Sequence, residues 1–444
     1  MSALLRVFAP AMGVLSACSA VAAFRQKPVA EPAVGLERIV NEARLTQRLP
    51  GLAVVVVRSD GQPMVYVSGE RRIGKGDPMT PNDRMHLGSL TKAITATVIG
   101  ALVEQRRMTF EATIGQTFPE LSAKIQPAYR NVTARQLLGH ASGVSPYRTR
   151  ESLQWMLTLK GTATEQRRAF LERVLAEPPR FEPGTRHEYS NVGGAIAGAM
   201  AERIAGSSYR QLVQDLVFAR LGGTAAFGNP GLASTPQPWG HARTSLGLLG
   251  EVAPDDVVYT TPLAIEPAGD VSLSPHDYGR FLQLHLRGLR GRDDVLTATT
   301  IQELHKQVAP VNPGTGSAMG WSVMPRGVES HEHVGSYGAY VAFASIQASR
   351  DVAVAAFTNL GGGQDLRDAV GGVALQIAAR FSTDAITFDK LEAQVRTRPK
   401  GRHRIVPRNV AARPALQSFY AFPRYFSFGG FSPHVPAVCP RFIL

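Results

Sequence analysis

Apolar and polar positions along the chain fall into blocks of different period. Leu36 to Leu49 has apolar residues at helical spacing, and Pro50-Gly51 ends it. The unbroken run Leu52-Ala53-Val54-Val55-Val56-Val57 predicts a buried strand. Ser59-Asp60-Gly61 then turns the chain into a partner strand over Pro63 to Ser68. From Ala93 to Glu104 the chain is apolar on nearly every side, as in a helix enclosed by its neighbours. Phe110 to Leu121 is irregular. Val132 to Leu138 reads as a helix capped by Thr133, and the glycines of Gly139-His140-Ala141-Ser142-Gly143-Val144 break it.

Helical spacing continues from Arg150 to Leu175, from Val192 to Ala205 and from Tyr209 to Leu221. The second of these is rich in Gly and Ala, which predicts close packing. Gly222 to Thr260 is Gly/Pro-rich and reads as loop. Ser274 opens a helix to about Arg287, and Thr299 with Gln302 stands at capping-box spacing before another, to Val308. Met319 to Val323, Tyr340 to Ala348 and Val352 to Thr358 read as strands, with Asp351 in the turn between the last two. Asp365 to Phe381 puts Leu366, Val370, Val373, Ile377 and Phe381 on one helical face. This order, without an internal repeat, predicts an α+β sandwich: an antiparallel sheet flanked by helices, with an all-α region inserted.

Within this frame Ser89 and Lys92 stand three residues apart at the head of the apolar helix, on one face and one turn apart. A lysine whose pKa is lowered by burial takes a serine proton and makes the serine a nucleophile, and the helix N-terminus favours developing anions. A capping serine beside a snorkelling lysine gives the same spacing. Lysine is scarce, however: of eight lysines only Lys92 has a serine three residues before it.

Composition narrows the picture. With 44% hydrophobic and 19% charged residues, the 444-residue chain has ample material for a core. A net charge of +13 suggests nucleic acid or anionic membrane, but nine of the basic residues lie in the acid-free segment from Ala393 to Leu444. The remaining excess of four gives no basic face for nucleic acid. Arg6 followed by an apolar run from Val7 to Ala23 reads as an export signal over residues 1–23, with a linker at 24–35. Leu15-Ser16-Ala17-Cys18 resembles a bacterial lipobox, which would lipidate Cys18 and attach the protein to a membrane. Ala20-Val21-Ala22 offers an ordinary small-x-small cleavage site instead. With Cys18 removed or lipidated, Cys439 has no internal partner, so the main domain, 36–388, holds without disulfides or a cysteine zinc site. The tail, 389–444, is basic and then aromatic, with neither helical nor strand period, and reads as disordered.

Two further pieces complete a pattern: Tyr189-Ser190-Asn191 at the head of a helix, and His333-Val334-Gly335 just before a strand. Together with Ser89-x-x-Lys92 this resembles the serine β-lactamase and penicillin-binding protein superfamily, in its class C β-lactamase, D-alanyl-D-alanine carboxypeptidase and family VIII esterase branch. Supporting segments are Leu137 to Gly143, Pro183-Gly184, Pro267-Ala268-Gly269 and Gly320-Trp321. The resemblance implies that Ser89 forms an acyl-enzyme, that Lys92 and Tyr189 form the base, and that Asn191 holds Lys92 and the substrate amide. It implies an oxyanion hole from the N–H groups of Ser89 and Ser336, with His333 and Gly335 lining the substrate pocket. No cofactor is implied.

The third motif departs from the Lys-Thr-Gly usual in true β-lactamases, and a neutral histidine anchors a carboxylate less well than lysine. The resemblance therefore implies an exported hydrolase of an amide, peptide or ester, in the periplasm or cell envelope. A carboxylesterase of the same fold and a non-catalytic penicillin-binding or envelope-interaction protein are the alternatives. Other motifs read as bystanders. Tyr129-Arg130-Asn131 is taken as a surface loop and Gly314 to Ser317 as a loop. His140 is taken as a buried structural histidine. His331 and His333 beside Glu332 make a poor metal site, and the chain has no Gly-x-Ser-x-Gly elbow.

Overall fold

The computed structural model describes residues 33–381, except 148, 257–259 and 326. The expected export signal with Cys18, all but the end of the linker, and the tail lie outside the described residues. Nine strands form one antiparallel sheet, ordered Asp77–Pro78, Met64–Arg72, Gly51–Val57, Val352–Thr358, Tyr340–Gln347, Ser330–Tyr337, Ser322–Met324, Thr315–Ser317 and Ala309–Asn312. The valine run is central because both of its faces are covered. Val54 and Val56 join Leu36, Val40, Val370, Ile377 and Phe381, from the first helix (Ala33–Thr46) and the last (Gln364–Phe381). Ala53, Val55 and Val57 join the opposite layer, with Ile94 and Val98 of the helix Thr91–Glu104 and Tyr278 and Phe281 of Pro275–Leu289. Alternation of side chains across a pleated strand makes one apolar run serve two cores.

Between strands Asp77–Pro78 and Ala309–Asn312 the chain builds the expected helical region, with helices Ala134–Leu138, Arg150–Thr158, Ala163–Ala176, Asn191–Ala205 and Tyr209–Val213. Thr133 caps its helix as expected, with Gln136 closing the box, and Ser190 caps the Gly/Ala-rich helix. The Thr91–Glu104 helix lies buried where this region meets the sheet.

Several expectations need correction. The segment read as loop from Gly222 to Thr260 contains a hairpin, Gly240–Arg243 with Leu249–Val252, and a short strand, Ala226–Phe227. Thr315–Ser317, read as loop, pairs on both sides within the sheet. His333 lies inside a strand, Ser330–Tyr337, and not before one. The helix cap is Thr297, whose hydroxyl accepts from Thr300 N, while Thr299 lies within the helix Ala298–His305. Tyr129 is fully buried in a short 3-10 turn and is no surface residue.

A chain of imidazoles joins three elements behind the site. His285 on Pro275–Leu289 lies 3.1 Å by Nε2 from Thr97 Oγ1, whose own hydroxyl donates to Ala93 O at 2.8 Å. Nε2 therefore donates, and His285 Nδ1 accepts from His305 Nε2 at 2.9 Å. His331 packs edge-on to His305 with ring centroids 4.5 Å apart, and its Nε2 lies 3.5 Å from Glu329 Oε1. Burial lowers the pKa of all three, His285 down to about 3 and His305 well below the ordinary histidine value, and their mutual charge adds to this for His285 and His305, while Glu329 partly offsets it for His331.

A histidine with a depressed folded-state pKa contributes stability that is present above the unfolded value of about 6.5 and is lost as pH falls below it. Each one kept neutral costs about 1.4 kcal/mol per pH unit below that point. We predict that urea-unfolding stability drops steeply between pH 6.5 and pH 5. His305→Phe should be less stable at pH 7 but show a shallower acid limb. An acid limb of unchanged slope in that variant would rule the imidazole chain out as its source.

Candidate active site

Ser89 sits in a single 3-10 turn, Gly88–Leu90, which runs directly into the helix Thr91–Glu104. The turn is anchored from behind by a pair that sequence reasoning missed. Gly88 N donates to His86 Nδ1 at 3.2 Å, so the His86 proton lies on Nε2, which faces Asp270 Oδ1 at 3.4 Å. His86 and Asp270 are both buried. An isolated His and an Asp far apart in sequence carry no signal that would have paired them.

Lys92 is 1% exposed, enclosed between the helix and its neighbours. Its Nζ lies 3.1 Å from Ser89 Oγ, 2.8 Å from Asn191 Oδ1 and 2.7 Å from the carbonyl oxygen of Ala268. The Ala268 carbonyl comes from the supporting Pro-Ala-Gly segment, which forms the short helix Glu266–Gly269. Two acceptors fix two N–H bonds, so the remaining position on nitrogen points at Ser89. It holds a proton in the ammonium and a lone pair in the amine.

Tyr189 reaches the same oxygen from the other side, its hydroxyl 2.6 Å from Ser89 Oγ. Its ring lies under the Lys92 nitrogen, 4.8 Å away. His140 holds this segment in place. Its carbonyl accepts from Glu188 N at 2.8 Å, its Nδ1 accepts from Ser190 N at 3.3 Å, and its ring packs on Tyr189 with centroids 4.4 Å apart. A φ of 60° aims its carbonyl and ring at the one segment. His140 is thus buried as expected, but it positions Tyr189 directly.

The strand Ser330–Tyr337 closes the third side. A Cβ on Gly88 would stand 2.7 Å from Ser336 N, and one on Gly335 would stand 1.9 Å from the carbonyl oxygen of Leu87. Only bare backbone fits on either side, which is the physical reason for glycine at both positions. His333 is half-buried on this strand, and its Nδ1 donates to Gly320 O at 2.6 Å. It lines a small pocket with His140, His187, Tyr189, Ser317, Trp321 and Ser322. Burial, and for His333 the neighbouring Lys92 charge, pushes both His187 and His333 down to about 4, so both are neutral at pH 7.

The structure therefore brings Ser89, Lys92, Tyr189, Asn191, His333, Gly335 and Ser336 to one place. The decoy Tyr129-Arg130-Asn131 is not among them: the Tyr129 side chain packs in the core cluster. Among the described residues no group of three or more His, Cys, Asp or Glu is arranged to hold a metal ion.

Comparison with known proteins agrees with this architecture. The sequence model of the β-lactamase family matches residues 35–378. Penicillin-binding protein 4 of Amycolatopsis lactamdurans is 25% identical over 330 residues, covering 72% of this chain and 83% of that protein. An octameric penicillin-binding protein homologue from Pyrococcus abyssi superposes with a TM-score of 0.64 at 21% identity, covering 77% of this chain and 76% of its own. A D-amino acid amidase from Ochrobactrum anthropi SV3 superposes with a TM-score of 0.63 at 20% identity, over 81% of this chain and 99% of that one. Because the family match spans the sheet, the helical insert and every residue gathered around Ser89, this chain belongs to the β-lactamase family.

Proposed function

We propose that the protein is an exported serine hydrolase that cleaves an amide, peptide or ester bond through an acyl-enzyme on Ser89. One observation carries this reading: a single buried hydroxyl oxygen lies 2.6 Å from the Tyr189 hydroxyl and 3.1 Å from the Lys92 nitrogen. A structural serine has no need of two proton-transfer groups on one oxygen. The 25% identity to a penicillin-binding protein over most of both chains supports the same chemistry. Export, to the periplasm or envelope, is supported by the apolar stretch before residue 24 and by the two signal-cleavage patterns it contains, the lipobox-like Leu15-Ser16-Ala17-Cys18 and Ala20-Val21-Ala22.

The steps follow from the geometry. Ser89 Oγ attacks the carbonyl carbon while its proton passes to the Lys92–Tyr189 pair. Asn191 and the Ala268 carbonyl keep Lys92 aimed at Ser89, so the pair needs no rearrangement to accept it. The carbonyl oxygen becomes an oxyanion, held by the N–H groups of Ser89 and Ser336. Each such donor is worth roughly 2.7–4 kcal/mol. Tyr189 returns the proton to the departing nitrogen or oxygen as the carbon–heteroatom bond breaks. Water then attacks the ester on Ser89, losing its proton to the same pair, and Ser89 is regenerated.

Intact-mass analysis with a fluorescent penicillin, and turnover of a chromogenic ester, test the reading. Ser89→Ala should abolish any adduct and lower turnover by at least about 10³-fold; unchanged turnover would sink it. A long-lived penicillin adduct points to a peptidase. Fast penicillin turnover points to a β-lactamase, and ester turnover without an adduct to an esterase. Silence in both assays favours the non-catalytic alternative.

Two variants probe the roles within the site. Tyr189→Phe should lower kcat by about 10²–10⁴ with little change in KM, because it removes proton transfer and leaves the ring. Gly335→Ala should force the strand away from the nucleophile turn. A displacement of about 1 Å there costs on the order of 10² in acylation rate. Stopped-flow acylation by the chromogenic ester reads both, and a Gly335→Ala enzyme of normal rate would show that the strand makes no oxyanion contact.

A further inference from the structure

Resting on the acyl-transfer reading, we infer that His333 selects leaving groups that offer it an N–H or O–H donor, and disfavours leaving groups that carry a carboxylate at that point. The first part of the argument is the tautomer. Gly320 O is a carbonyl and only accepts, so the 2.6 Å contact requires the proton on His333 Nδ1. In the neutral ring Nε2 then presents a lone pair, the wrong partner for a carboxylate oxygen and the right one for a donor.

The second part is location. The rings of His333 and Tyr189 line one pocket, edge to face, with centroids 6.5 Å apart. Tyr189 hands its proton to the leaving atom, so a group beside it meets the leaving-group side of the substrate. The third part is what else lines the pocket. Among the described residues no lysine or arginine lines it, Ser317 spends its hydroxyl proton on Gly139 O at 2.8 Å, and His187 is neutral at pH 7. A carboxylate set against His333 Nε2 would have to be met there by a proton added to that nitrogen. Burial and the Lys92 charge hold that group near 4, so at pH 7 this costs roughly a thousandfold.

The test compares N-acetyl-D-alanyl-D-alanine with its C-terminal amide, which differ only in carboxylate against carboxamide on the leaving group. We expect kcat/KM at pH 7 to favour the amide by at least about tenfold in the wild-type protein. For a substrate that is not turned over, the ratio of inhibition constants against 4-nitrophenyl acetate hydrolysis reads the same preference in binding. His333→Lys should shift that ratio toward the acid by at least about tenfold. A wild-type preference for the acid, or equal use of the two, overturns the inference without any variant. So does an unchanged ratio in a folded His333→Lys protein. Failure of the acyl-transfer reading looks different: the wild-type protein would then show no acetyl adduct on Ser89 with 4-nitrophenyl acetate, whichever dipeptide it favours.

Discussion

The structure turns on one buried amine. Removing a lysine nitrogen from water is costly unless hydrogen bonds replace the lost hydration. Lys92 finds those partners on three separate pieces of chain: Ser89 one turn earlier, Asn191 at the head of the helix Asn191–Ala205, and Ala268 in the turn before the strand Val271–Leu273. Each piece must arrive within hydrogen-bond distance for the amine to be tolerated. The folding requirement and the chemical requirement are therefore the same requirement. A helical insert long enough to bring Asn191 back to the sheet is its consequence in topology.

The second constraint is backbone against backbone. The turn that holds Ser89 is wedged between the strand carrying Gly335 and the loop carrying Gly320. A Cβ on Gly320 would stand 2.7 Å from Ala93 N. No side chain separates the turn from the backbone of the strand Ser330–Tyr337, so the N–H groups of Ser89 and its neighbours keep a fixed direction without side-chain freedom to blur it. From behind, the buried His86–Asp270 pair grips Gly88 N. The main chain around Ser89 is thus fixed from three sides, which is what the proposed oxyanion stabilisation demands.

Which of this was legible in the sequence follows from how local each determinant is. The valine run, the apolar serine helix, the cap at Thr133 and the amphipathic last helix are set by residues within a few positions of one another, and each stands as read. Ser330–Tyr337 was missed as a strand because Ser330, His331, Glu332 and His333 look polar. Its state is decided by ladders to Tyr340–Gln347 on one side and Ser322–Met324 on the other. The hairpin at Gly240–Arg243 was hidden by its glycines and is held by distant contacts. His241 joins Ile73 N at 3.1 Å to the carbonyl of Asn359 at 3.0 Å. The motif residues that the fold gathers around Ser89 could be singled out because spacing and order mark them. Ala268 contributes only a carbonyl, which every residue has, and His86 gains its role from a partner 184 positions away.

Histidine shows how far context decides function here. In the imidazole chain behind the site, His285 is hydrogen-bonded at both nitrogens while His305 and His331 pack ring against ring, and the result is structural. At His140 both the carbonyl and Nδ1 accept from the tyrosine segment, and the result is positional. At His333 one nitrogen is spent on Gly320, which leaves the ring oriented and its other nitrogen an acceptor. Gly320 is also the residue whose backbone lies against the start of the serine helix. The loop that lies against the start of the serine helix thus also fixes which nitrogen His333 leaves open to the pocket, so one stretch of backbone contributes both to the placement of Ser89 and to the polarity beside it.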